Sequence, residues 1–130
     1  MFFTIDPDNG LAIYDQILRQ VKFAVASGAL QPGQRVPSLQ ELATTLALNP
    51  NTVARAYRDL QSEGILISIR GTGLAVAIGA VEKCRGDRLE MIRERLRHIL
   101  REAVQNGITS KEVQELVRSE WATLQQEQPP

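Results

Sequence analysis

The sequence predicts a mainly α-helical fold that carries one small β-hairpin, on three observations. Two short amphipathic runs lie either side of a gap of about three residues in ELATTLALNPNTVARAY, the dimensions of two helices joined by a tight turn. Two apolar, β-branched runs, ILISI and LAVAI, are joined by Arg70-Gly71-Thr72-Gly73, which reads as a hairpin. Further on, Leu89, Ile92, Leu96, Ile99 and Ala103 recur at alternating steps of three and four, the spacing of a helical seam.

Composition narrows the class before any motif is used. The chain has 130 residues, 43% of them hydrophobic, enough to bury one modest core with an appendage. Lysine and arginine number 15, as do aspartate and glutamate, so any basic surface must be local. Cys84 is the single cysteine, which excludes an internal disulfide and any multi-cysteine metal site and fits a reducing, cytoplasmic setting. The start, MFFTIDPD, lacks the basic and apolar regions of a secretion signal, and the most apolar stretch is interrupted by Arg70 and glycines, so neither export nor a membrane partner is expected.

The elements follow in order. From Ile13, the residues Tyr14, Ile17, Leu18, Val21, Ala24 and Val25 recur at helical spacing, and Gly28 stands where a C-terminal cap would. The segment ALQPGQRVPS, with two prolines and a glycine, reads as a linker with one short extended piece around Val36. Ser38-Leu39-Gln40-Glu41 forms a capping box, and the helix it opens runs to about Leu46. Asn49 caps the next helix, and Pro50 occupies its first position, where a missing N–H costs nothing.

The faces of that next helix differ. Steps of about 100° put Val53, Ala56, Tyr57 and Leu60 on one side and Asn51, Arg55, Arg58 and Ser62 on the other. Amide, guanidinium and hydroxyl groups on the N-terminal half of a helix suit base edges and phosphates in a DNA major groove. The helix terminus is expected to add free N–H groups and a positive dipole end. A hairpin after two such helices makes a winged helix-turn-helix, with Arg70 and Thr72 at the wing tip and glycines allowing close backbone approach.

At this point the chain resembles the GntR family of bacterial transcription regulators. The family pattern IYxQI, GxLxPGxxLPS, ELA, NPNTVxRAY, LxxEG and RGxG is met at Ile13 to Ile17, Gly28 to Ser38, Glu41 to Ala43, Asn49 to Tyr57, Leu60 to Gly64 and Arg70 to Gly73. The NPNT form and the short remainder are most similar to the YtrA subfamily. The resemblance implies a dimeric repressor of a palindromic operator on double-stranded DNA, often controlling its own operon with an ABC-type transporter. It places at the DNA Ser38 and Gln40, then Asn49, Asn51, Thr52, Arg55 and Arg58, and the wing residues Arg70, Gly71, Thr72 and Gly73. Two departures from the family matter. Gln40 stands where the family usually has arginine, and Ala47 where it usually has glycine, which strains alanine if the turn there needs a positive φ.

The last fifty or so residues read as a partner-seeking pair of helices. AVEKCRGDR is expected to be a charged linker, with Asp87 capping a long helix that ends at Asn106-Gly107. Leu100 and Val104 widen the seam named above. Thr109-Ser110-Lys111-Glu112 makes a second capping box, and Val113, Leu116, Val117, Trp121 and Leu124 give the final helix an apolar face. Two helices cannot enclose a core alone, so Leu89, Ile92, Leu96, Ile99, Leu100, Ala103, Val113, Leu116, Val117 and Trp121 are assigned to a homodimer contact. The expected organisation is a DNA-binding domain over residues 1–79 and a helical dimerisation segment over 80–130, with a frayed QQEQPP tail.

Other chemistries fit less well. A second strand-like run follows Gly71-Thr72-Gly73 where a phosphate-binding helix should begin, which removes a nucleotide loop. Cys84 and His98, the only residues of their kinds, make no catalytic set, so no catalytic residue, cofactor or metal is assigned. A small-molecule effector stays unidentified; a helical hairpin encloses little volume, so an effector would use the dimer interface. The alternative is a winged helix used for protein interaction, which salt dependence of binding separates from DNA recognition.

Overall fold

The computed structural model describes residues 3–71 and 73–127. Its elements run α1 (Ile13–Ser27), α2 (Leu39–Thr45), α3 (Pro50–Ser62), β1 (Leu66–Ile69), β2 (Gly73–Val76), α4 (Ala80–Gln105) and α5 (Ser110–Glu127). Two compact units divide within α4, the first ending at Met91 and the second beginning at Ile92.

In the first unit, three helices and the hairpin close around one core. Ile17, Val21 and Val25 of α1 meet Leu42 of α2 and Val53, Ala56, Tyr57 and Leu60 of α3, all buried. The α3 stripe is the one its periodicity predicts. Gly28, with φ 87°, ends α1 through an N–H that reaches the Val25 carbonyl. Among the described residues Gln16 is the buried polar side chain; its oxygen accepts from the Asp6 N–H and its amide donates to the Asp6 and Leu11 carbonyls, so the N-terminal segment is tied to α1 with that amide satisfied.

The strands pair antiparallel, Leu66 opposite Val76 and Ile69 opposite Gly73. The extended piece expected at Val36 is present and joins them: Arg35 bridges Ala75, the Val36 N–H donates to the Leu74 carbonyl at 3.0 Å, and the Val76 N–H donates to the Gln34 carbonyl at 2.9 Å. The wing is thereby anchored to the segment leading into α2.

The stretch AVEKCRGDR is no linker. It forms the first turns of α4, and Asp87 lies inside that helix rather than capping it. Tertiary contacts outweigh the weak propensity of Gly86: Ala80 and Cys84, one turn apart, are buried in the core, and the Arg85 Nε donates to the Ala26 carbonyl at 3.0 Å. The Lys83 ammonium donates to the Glu63 carbonyl and Lys22 pairs with the Glu63 carboxylate at 2.9 Å, which fixes the end of α3 on both sides.

The second unit is the remainder of α4 and α5. The Thr109 and Glu112 capping box is reciprocal: Glu112 accepts from the Thr109 N–H at 3.1 Å, while the Glu112 N–H donates to the Thr109 hydroxyl at 3.2 Å. Those bonds hold the Glu112 carboxyl below its usual range. Among the described residues of this unit Ala103 alone is buried. The tail is less frayed than expected, since Gln125 to Glu127 continue α5; residues 128–130 lie outside the described residues.

Candidate nucleic-acid interface

Local chemistry builds the helix-turn-helix. The Ser38 hydroxyl accepts from the Glu41 N–H at 3.1 Å and opens α2, and the Asn49 side chain accepts from the Asn51 N–H at 2.9 Å and opens α3. Between them Ala47 adopts φ 54°, the conformation that favours glycine, and it is exposed. The Tyr57 hydroxyl donates to the Pro37 carbonyl at 2.7 Å.

This frame presents one polar face. Asn51, Arg55 and Arg58 are exposed on α3, with Thr52 half-buried at their edge, and Ser38, Gln40 and Asn49 are exposed beside them. Arg70 and Gly71 are exposed at the hairpin turn, where φ of 74° at Gly71 and 100° at Gly73 requires residues without a Cβ. Thr72 lies outside the described residues.

Two adjoining clefts show which of these residues meet. Ser38, Arg58 and Gly73 share a cleft of about 400 Å3 with Tyr57. Ser38 and Gly73 share a second, of about 340 Å3, with Arg35 and Glu41. The start of α2, the outer side of α3 and the turn end of the wing therefore converge, whereas Gln40 lines neither cleft.

Three features were not read from the sequence. Arg35 is exposed and lines the second cleft because its bridge to Ala75 draws the segment to the wing; the basic residue within PGQRVPS was the available signal. Arg55 is stacked, its guanidinium carbon 4.0 Å from the centroid of the Tyr14 ring, while the Tyr14 hydroxyl donates to Asp59. That hydrogen bond, with burial, pushes the Tyr14 phenol up to about 12. Finally, the start of α3 does not supply the free N–H groups expected of it. Pro50 has none, the Asn51 N–H is used by the cap, and the Thr52 and Val53 N–H groups donate to the Asn49 carbonyl.

The arrangement offers arginine, amide and hydroxyl donors on one exposed face, and the described residues contain no group of side chains that would hold a metal. No helix among them is long and apolar enough to cross a membrane. A winged helix-turn-helix of this build defines a class of DNA-binding transcription regulators. Residues 13–76 match the family described as bacterial regulatory proteins, gntR family. The chain is 35% identical over 114 residues to the HTH-type transcriptional repressor YtrA of Bacillus subtilis (strain 168), covering 88% of each protein. This chain belongs to the GntR family, and within it is YtrA-like. Among solved structures it is similar to a transcriptional antiterminator from Listeria monocytogenes EGD-e, with 30% identity, a TM-score of 0.65 and coverage of 92% of this chain and 90% of that one. It is also similar to YtrA from Sulfolobus acidocaldarius, a GntR-family transcription factor, with 27% identity, a TM-score of 0.54 and coverage of 94% and 98%.

Proposed function

We propose that this GntR-family regulator represses transcription as a homodimer on a palindromic operator. In this reading α3 enters the major groove, with Asn51, Thr52 and Arg58 facing base edges. Ser38, Gln40, Asn49 and the wing residues Arg70, Gly71, Thr72 and Gly73 lie along the sugar-phosphate walls, and Arg35 joins them. The observation that carries the reading is the convergence of Ser38, Arg58 and Gly73 at one cleft on the exposed face of a helix-turn-helix. Base edges are read by a few side chains held in register by phosphate contacts, and this face has donors for both.

The second half of the proposal concerns assembly, with residues 80–130 as the dimerisation segment. Leu96 is 42% exposed, Ile99 59%, Leu116 58%, Val117 53% and Trp121 65%, in a second unit whose described residues bury Ala103 alone. Apolar faces of this size are covered when Leu89, Ile92, Leu100, Ala103 and Val113 join them against the same faces of a second copy. Any effector would take the open apolar groove of about 500 Å3 between α4 and α5, at that interface. As part of this reading, the family resemblance seen in the sequence implies control of its own operon with an ABC-type transporter, and a role on chromosomal DNA implies a cytoplasmic protein.

Genomic footprinting of the full chain tests the operator, and binding to the recovered duplex across a salt series tests the class. Symmetric footprints and an affinity that falls steeply with salt are expected; no footprint and no duplex binding at low salt would indicate a protein partner instead.

A further inference from the structure

Tyr14 of α1 reaches α3 twice. Its ring lies against the Arg55 guanidinium at 4.0 Å, and its hydroxyl donates to Asp59. Arg55 and Asp59 are one helical turn apart, so both contacts lie on the α1-facing edge of α3. A guanidinium stacked on a ring uses its π face and keeps its in-plane N–H donors for other partners. An arginine held this way has also lost much of its rotamer freedom before a ligand arrives, so binding need not order it. The stack draws the guanidinium toward α1, whereas the cleft shared by Ser38, Arg58 and Gly73 lies between α3 and the wing. Groups at the flank of a recognition helix meet the groove wall, which is phosphate; groups at its centre meet base edges.

We propose that Tyr14 is a positioning residue that holds Arg55 as a phosphate contact on the α1 side of the recognition helix, so that Arg55 sets affinity without reading sequence. The proposal rests on the reading that α3 enters the major groove. Phosphate suits the held arginine because two parallel N–H groups match two phosphate oxygens.

Two duplexes of equal length serve as probes, one recovered from a random pool by selection with the full chain, the other of scrambled sequence. Arg55→Ala is expected to weaken both by a similar factor, on the order of tenfold, and to lower the salt slope by about one. Tyr14→Ala should weaken both in the same ratio, yet add less than about twofold when Arg55 is already alanine, because its effect passes through Arg55. Tyr14→Phe keeps the ring and should bind nearly as wild type. Thermal unfolding checks each variant; if Tyr14→Ala does not fold, Arg55→Lys replaces it, retaining the salt slope but losing affinity with the planar face.

Three results would overturn the proposal: loss confined to the selected duplex, which makes Arg55 a base reader; equal losses from Tyr14→Ala with and without Arg55; or wild-type binding by Arg55→Lys. Asn51→Ala and Arg58→Ala separate the two levels. If they weaken binding while the Arg55 and Tyr14 variants do not, only the positioning proposal fails; if none of the four has an effect, the placement of α3 in the groove fails with it.

Discussion

The Tyr57 hydroxyl, donating to the Pro37 carbonyl at 2.7 Å, ties the middle of α3 to the segment that opens α2. Tyr57 is buried, and that burial raises its phenol well above the ordinary tyrosine range. The helix-turn-helix therefore keeps its angle through a neutral phenol as well as through apolar packing.

Tyr57→Phe should cost about 1 kcal/mol of unfolding free energy, because the half-buried Pro37 carbonyl loses its partner. The bond also sets an alkaline limit. A phenol raised in the folded state contributes stability in full below the unfolded value of about 10, and loses it as pH rises through the folded value. Tyr14, pushed up to about 12, acts in the same direction. Urea midpoints should fall from about pH 10 toward pH 12, and less steeply in Tyr57→Phe. A wild-type midpoint constant over that interval would contradict the assignment.

Ala47→Gly should stabilise the protein. At φ 54° a Cβ is strained, and the exposed methyl contributes no burial that its removal would forfeit. A gain of about 1 kcal/mol, or on the order of 4 °C in Tm, is expected by thermal unfolding. A lower Tm would show that the turn accommodates alanine and that glycine costs more in chain entropy.

Gln40→Arg tests the face of α2. Gln40 is exposed there beside the Ser38 cap, so an arginine would reach a phosphate that glutamine addresses weakly. Affinity for the operator should rise, and the salt slope should steepen by up to about one. Unchanged slope and affinity would move Gln40 off the DNA.

Leu96→Asp combined with Ile99→Asp tests assembly. Each carboxylate would sit against an apolar partner, a loss of several kcal/mol that a helical interface does not absorb. Sedimentation should report a monomer with a folded head that binds half-site duplex weakly and full-site duplex no better. A double mutant that stays dimeric, or a wild type that is monomeric while binding tightly, would refute the homodimer.

Much of this was legible because it is local. Ser38 and Asn49 cap within three residues of themselves, and the buried stripe of Val53, Ala56, Tyr57 and Leu60 follows from helical period alone. Ala47 became legible through the resemblance, by standing where the family usually has glycine, and its φ is positive. What escaped was set at a distance. The first turns of α4 look like a charged linker until Ala80 and Cys84 meet the core, and Arg35 reaches the wing through a strand pairing that no window of sequence displays. The Arg55 stack is of the same kind: outward on a helical wheel, but claimed by a ring from another helix.

Cys84, the one cysteine of the chain, is fully buried in α4, and burial pushes its thiol up. A thiolate is what alkylating and oxidising agents attack, so the folded protein is expected to resist both. Labelling must wait until the first turns of α4 lift from α1 and α3. The protein thus carries its own reporter of that opening: with electrophile in excess enough that labelling outpaces reclosing, the pace at which Cys84 is marked in native buffer measures how often the start of α4 comes away, without any engineered probe.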